Sequence, residues 1–424
     1  MVVRVRVSCL GLTRNQPLVP LIEQQINIIS YYKTTFSQIT RVYFIYYLNG
    51  GITCMYKFNE KELVKKLEQK VERMVEQIGD KSPHVASADG VYDDMPHAWW
   101  TSGFWPGILW VLYDITDNEK FKGAAIHWDE ELQKCFSEHP IKVDHDVGFQ
   151  FLLSAVMKHT ILKSESSLGI GLEAANYLAG RFNPAGQFIR AWNGDKIGWA
   201  IIDCMMNVSL LFWASRVTGD PRYKQIATLH ADTILKHAIR EDGSVCHILS
   251  FDPVSGDFIE SIGGQGNAPD SAWSRGNAWA LYGFANTYRH TGDARYLHAA
   301  KRVAHHFIAG LPDDYVPYWD FRLNSLENEP RDSSAAAIAA SGLLEIAEAV
   351  PSNEKRLYAD AATNILASLT ENYATWDQPE HQGILVGGTG NKPANENINV
   401  SLIYGDYYYI EAIAKVNGWE RRIF

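Results

Sequence analysis

The chain has 424 residues, 46% hydrophobic and 21% charged, a composition too apolar for a disordered protein and sufficient for a large core. A formal charge of −10 argues against a nucleic-acid partner, which needs a basic surface, and no run of about 18 uncharged apolar residues offers a membrane span. Five scattered cysteines without a C-x-x-C pair indicate neither a disulfide framework nor a zinc cluster, and so a reducing, cytoplasmic setting.

Residues 1–54 differ in charge from the rest of the chain. They carry Arg4, Arg6, Arg14, Lys33 and Arg41 against Glu23 alone, a net +4 that leaves −14 on the remainder. The segment lacks the apolar core and small-residue cleavage site of a secretory signal. It is therefore expected to be an extension outside the fold, with Met55 as a natural start and 55–424 as a single domain. Met55 opens an amphipathic helical stretch in which Leu63, Leu67, Val71 and Met74 share one face.

From there the pattern predicts twelve helices, near 59–79, 98–115, 119–136, 146–162, 166–182, 198–217, 221–239, 273–290, 294–310, 332–349, 354–371 and 401–415. Four junctions share one punctuation: TDNEKF at 116–121, TGDPRY at 218–223, TGDARY at 291–296 and SNEKRLY at 352–358. In each, a helix stops, Asp or Asn caps the next, and an aromatic side chain packs onto the turn. Twelve helices with recurrent helix–turn–helix punctuation make six hairpins. Six hairpins close into an all-α toroid, an (α/α)6 barrel, whose rim is formed by the longer segments 183–197, 240–272 and 311–331. The second of these contains a short β-hairpin turning at Pro253–Gly256. Function belongs at that rim.

Asp203 is the most informative residue, because it stands in WAIIDCMMNVSLLFWA, an otherwise apolar helical stretch. A carboxylate there either pairs with a cation or shifts its pKa upward and becomes a proton donor near neutrality. Asp146, in VDHDVGFQFLL, begins another apolar helix beside Asp144 and His145, where an aspartate ordinarily serves as a cap. Trp99, Trp100, Trp105, Trp192, Trp199, Trp273 and Trp279 cluster near helix starts, and flat ring faces suit sugar stacking. Arg275 stands between two of them, in position to hold a carboxylate. The fourteen histidines show no H-E-x-x-H pattern, and no dinucleotide fingerprint, phosphate loop or nucleophile elbow occurs. A cofactor-free acid–base enzyme without a metal remains, against the alternatives of an α/α-barrel sugar epimerase using histidine pairs and a non-catalytic sugar-binding toroid. Oligomeric state is left open.

The segments HAWWTSGFWPGILWVLY, VDHDVGFQF, GWAIIDCMMN, GGQGNAPDSAWSRGNAWALYGFA, VPYWDF, EPRDSSAAAIAASGLLEIA and LIYGDYYYIEA, in this order from about residue 60 to 416, resemble glycoside hydrolase family 88, the unsaturated glucuronyl hydrolases. The resemblance implies an (α/α)6 barrel that removes a 4,5-unsaturated uronic acid from the nonreducing end of lyase-generated oligosaccharides. It makes Asp203 the general acid/base and Asp146 its catalytic companion. Trp100, His145, His247, Gln265, Trp273, Arg275 and Trp279 become sugar-site residues. Relatives acting on sulfated fragments present an S-x-x-S-x-K pattern near the C-terminus. Here the matching stretch, Gly387 to Lys392, keeps the lysine and loses both serines, which counts against a preference for sulfated sugars. The nearest rival is the unsaturated rhamnogalacturonyl hydrolase group, from which the DHD and SRGNAW contexts depart.

Overall fold

The computed structural model describes residues 44–48, 51–55 and 60–424, in two units, 1–57 and 58–424. In the first, β1 (Phe44–Leu48) and β2 (Gly51–Met55) pair antiparallel with Phe44 opposite Met55. The rest of the expected extension lies outside the described residues. Met55 thus ends a strand, and the amphipathic helix expected from it begins at Glu60.

The second unit runs α1 (Glu60–Ile78), α2 (Phe104–Thr116), α3 (Glu119–Glu138), α4 (Val147–Phe151), a π-helical turn over Leu152–Val156, α5 (Met157–Leu162), α6 (Glu165–Ala179), α7 (Cys204–Asn207), α8 (Ser209–Thr218), α9 (Pro221–His237), α10 (Ser274–Thr291), α11 (Ala294–Ala309), α12 (Ser333–Ala349), α13 (Ser352–Ser368) and α14 (Ile403–Val416). Six of these runs are buried along most of their length: α2, α4 with α5, α7 with α8, α10, α12 and α14. Helix α10, for example, buries every residue from Ser274 to Thr287. Such helices belong inside, and each packs on the next in chain order until α14 returns to α2 and closes the ring. The remaining six are amphipathic and lie outside; α1 buries Leu67, Val71, Met74 and Ile78 while Lys61, Glu62, Lys65, Lys66 and Glu76 face out, and its one buried lysine, Lys70, donates to the His381 carbonyl.

Five hairpins are contiguous, each running from an inner helix to an outer one. The sixth is made from the two ends of the unit, α14 packing on α1. The expected punctuation holds at three junctions, where Asn118, Asp220 and Asp293 accept the amides of Lys120, Arg222 and Arg295. At the fourth the cap position falls on Pro351, because the proline cannot continue a helix inward and sets the entry by its fixed φ. Phe121, Tyr223, Tyr296 and Tyr358 are buried behind all four turns.

Since every contiguous hairpin enters on its inner helix, the inner N-termini emerge at one end. Loops there carry β3 (Val85–Ala86), β4 (Phe182–Asn183), β5 (Phe188–Ile189), β6 (Trp199–Ile201), β7 (Ile248–Phe251), β8 (Phe258–Ile262), β9 (Gly388–Asn391) and β10 (Glu396–Leu402). They form small antiparallel sheets, β6-β7-β8 and β3-β10-β9 among them. The β7–β8 turn falls at Pro253–Gly256 as expected. Two expected helices are cut: 98–115 begins only at Phe104, after turns, and 198–217 begins as β6, because Trp199, Ala200 and Ile201 pair with Ser250, Leu249 and Ile248 of β7. Tertiary pairing overrides the helical pattern in that β-branched stretch.

Candidate active site

Asp203 consequently lies at a strand-to-helix junction, directly before α7, and not within a helix. Its side chain is 16% exposed, its Oδ1 has no hydrogen-bond partner among the described residues, and burial pushes its pKa up to about 7 against the opposing charge of Arg275. His247 is the neighbour. Its Nδ1 accepts the Gln265 amide at 2.9 Å, so the ring hydrogen sits on Nε2, 3.7 Å from Asp203 Oδ1 and too far for a hydrogen bond. Burial, then Arg275, lowers the His247 pKa to about 3, so the imidazole is neutral.

Asp146 occupies the analogous position before α4. Burial, then the charges of Asp144 and Asp203, raise its carboxyl well above the usual range, opposed by a bond from Asn207 and by Arg181. His145 has the opposite tautomer to His247: its Nδ1 meets the Ala191 carbonyl at 2.9 Å, leaving an acceptor on Nε2, 3.3 Å from Asp146 Oδ1. That ring is fully buried and neutral, lowered to about 3 by burial and by Arg181. The two histidines therefore offer a donor toward Asp203 and an acceptor toward Asp146.

Arg275, in the first turn of α10, is buried. One terminal nitrogen bonds Asp332 at 2.6 Å and the Thr389 carbonyl. The other bonds Gln265 Oε1 at 2.8 Å and the Gly390 carbonyl. Its planar face covers the Trp273 ring at 4.5 Å. The guanidinium thus ties α10, α12 and β9 together, and its charge acts on the site more than its hydrogen-bonding fork does. Trp273 lies 4.4 Å from the His247 ring. Trp100 is partly exposed and 5.0 Å from the Tyr404 ring. These residues form one cluster at the inner N-termini. Trp279 lies deeper, wholly buried against Phe149 and Tyr408. Lys392 stands in the β9–β10 turn, two residues beyond Gly390.

Sequence reasoning missed Tyr404, which starts α14 beside Trp100 and under Arg275, and Asn207, which reaches Asp146. An asparagine in an otherwise apolar helical turn was the available signal for the second. Asp144, His145 and Asp146 bring one donor atom each within 4.8 Å of one another. Asp144 accepts the Asp146 amide and Asp146 accepts Asn207. Among the described residues no helix is long and apolar enough to cross a membrane.

Residues 66–424 match the model of Glycosyl Hydrolase Family 88. The chain belongs to this family. It is 37% identical over 353 residues to the unsaturated glucuronyl hydrolase of Bacillus sp. strain GL1, covering 81% of this chain and 93% of that one. With the unsaturated chondroitin disaccharide hydrolase of Streptococcus pyogenes it shares 35% over 339 residues, 78% of this chain and 85% of the other. The crystal structure of the Bacillus sp. GL1 enzyme superposes with a TM-score of 0.82 at 35% identity, covering 85% and 97% of the two chains. A Streptococcus agalactiae unsaturated glucuronyl hydrolase variant complexed with dGlcA-GalNAc6S superposes at 0.74 with 28% identity, covering 86% and 93%. This family 88 chain is accordingly an all-α (α/α)6 barrel and a glycosidase.

Proposed function

We propose that the chain removes a 4,5-unsaturated glucuronic acid from the nonreducing end of lyase-generated oligosaccharides of glycosaminoglycan type, with Asp203 as general acid/base. The carrying observation is Asp203 itself: a carboxyl poised near pH 7, facing a neutral imidazole N–H in an aromatic-walled site. An unsaturated uronate is a vinyl ether conjugated to a carboxylate. Protonation at carbon 4 by the Asp203 carboxyl leaves an oxocarbenium centre at carbon 5. Water adds there and returns its proton to Asp203, and the hemiketal so formed opens to release the remaining sugar. One carboxyl serves both proton transfers, so a separate nucleophile is not required.

The uronate charge suits the place. The N-termini of the inner helices converge there, with the positive ends of their dipoles inward, and the buried Arg275 adds a full charge. Trp100 supplies a ring face for the sugar, Trp273 backs the wall behind His247 and Arg275, and Asp146, beside the buried His145, orients the sugar hydroxyls. At the rim, Lys392 attracts negative charge, but Gly387 and Gly390 replace hydroxyl donors. A side chain at Gly387 would need φ +78° and would press on Tyr373 at 2.9 Å, while one at Gly390 would meet Asn397 at 2.8 Å. Unsulfated fragments are therefore the expected substrates. Loss of the ultraviolet absorbance of the conjugated uronate, on mixing with a lyase-generated disaccharide, tests the proposal. Persistent absorbance would exclude it, since neither an epimerase nor a sugar-binding toroid removes the double bond.

A further inference from the structure

We infer that Asn207 is a positioning residue that frees Asp146 for the reaction by capping the helix Asp146 would otherwise cap. The inference rests on the reading of Asp146 as part of the reacting site.

An aspartate before a helix ordinarily turns its carboxylate back onto the amide of the second or third helical residue. Asp220, Asp293 and Asp332 all do so in this chain. Asp146 stands in the same position before α4 and makes no such bond. Instead the amide of Phe149, the third residue of α4, donates to Asn207 Oδ1 at 2.6 Å. The other end of the same amide group, Nδ2, donates to Asp146 Oδ1 at 3.2 Å and lies 3.5 Å from the Asp203 carbonyl. Asn207 therefore satisfies the helix end in place of Asp146 and holds the released carboxyl group beside His145. Asn207 is fully buried and ends the four-residue helix that Asp203 precedes, so one side chain fixes the two aspartates relative to each other.

The backbone is shaped for this contact. A Cβ at Gly148 would stand 2.5 Å from Asn207 Oδ1 and 2.6 Å from its Cα, so only glycine allows α4 to approach α7 this closely. Without the Asn207 side chain, the Phe149 amide would be buried and unpaired, a costly condition. The nearest remedy is rotation of Asp146 into the ordinary capping position, away from the cleft. The charged and titratable groups around Asp146 are Asp144, Asp203 and Cys204, with Arg181 and His145 on the other sides.

The test uses the full chain carrying Asn207→Ala, Asn207→Asp, Asp146→Asn and the Asp146→Asn/Asn207→Ala pair. Turnover of an unsaturated disaccharide is followed by absorbance from pH 5 to 9, and melting temperature is measured alongside. Asn207→Ala is expected to lower kcat by about 30-fold or more, the cost of a misplaced reacting group, yet to cost less than about 3-fold when Asp146 is already asparagine. Asn207→Asp keeps an acceptor for Phe149 while replacing the donor to Asp146 by a second carboxylate. It should melt within a few degrees of the parent, lose about 10-fold or more in kcat and displace a limb of the kcat/KM profile by half a pH unit or more. If Asn207→Ala fails to fold, Asn207→Asp alone decides. Equal losses from Asn207→Ala in both backgrounds, or an unaltered pH profile in Asn207→Asp, would overturn the positioning role while leaving the site assignment intact. Full activity of Asp146→Asn would instead overturn the site assignment, and the inference with it.

Discussion

Asp203→Asn is the most direct test of the proposed chemistry, because it keeps the shape of the side chain and removes the titratable group on which both proton transfers depend. With the Asp203 pKa near 7, about half of the molecules hold the acid at pH 7 and about nine-tenths at pH 6. The acid-dependent rate of the parent should therefore rise no more than about twofold between these values and fall about tenfold per unit above pH 8. Burial raises this pKa, so protonation favours the active form as pH falls, the reverse of an exposed carboxylate acting as a base. Losing a general acid costs about 10² to 10⁴ in rate, or about 3 to 5 kcal/mol in barrier. The expected result is a kcat at least about 100-fold lower and a KM changed by less than about threefold, since Arg275 and the tryptophans still bind the sugar. The alkaline limb near pH 7 should vanish with the residue that produces it. Kinetics by absorbance loss across pH 5 to 9 provide both readouts. A variant retaining more than a tenth of the parent kcat, or keeping the same limb, would refute the assignment of Asp203 as proton donor.

Three other outcomes are expected. Hydrolysis in heavy-oxygen water should place the label on carbon 5 of the released uronate, and a saturated uronate should stay uncleaved; label on the anomeric carbon would mean that Asp203 and Asp146 work as a conventional glycosidase pair. Unsulfated chondroitin or hyaluronan disaccharides should show kcat/KM at least equal to that of their 6-sulfated counterparts, because Gly387 and Gly390 offer no hydroxyl to a sulfate, and a clear advantage for the sulfated sugar would count decisively against this. A chain shortened to begin at Met55 should retain activity and melt within about 3 °C of the full chain, whereas a larger fall would make residues 1–54 part of the fold.

The range of the forces involved decides which features a sequence discloses and which it hides. Helix ends at Asn118, Asp220 and Asp293 are legible because a cap, its helix and the aromatic behind it lie within a few residues of one another. The toroid is legible for the same reason, as repeated local punctuation. Asp203 stands out because a charge in an apolar stretch needs an explanation wherever the stretch folds. Its setting at a strand end is not legible, since β6 exists only through pairing with β7 nearly fifty residues away. Arg275 is the harder case. Composition and neighbours suggest a free carboxylate clamp, but its hydrogen bonds run to Asp332, Thr389 and Gly390, up to 115 positions distant. No local pattern encodes such partners. Asn207 combines both difficulties: its partners are 58 and 61 residues away, and its importance arises from a bond that Asp146 does not make. A sequence displays a residue able to cap a helix, but only the packed barrel shows that another residue has taken that duty and left the aspartate free to react.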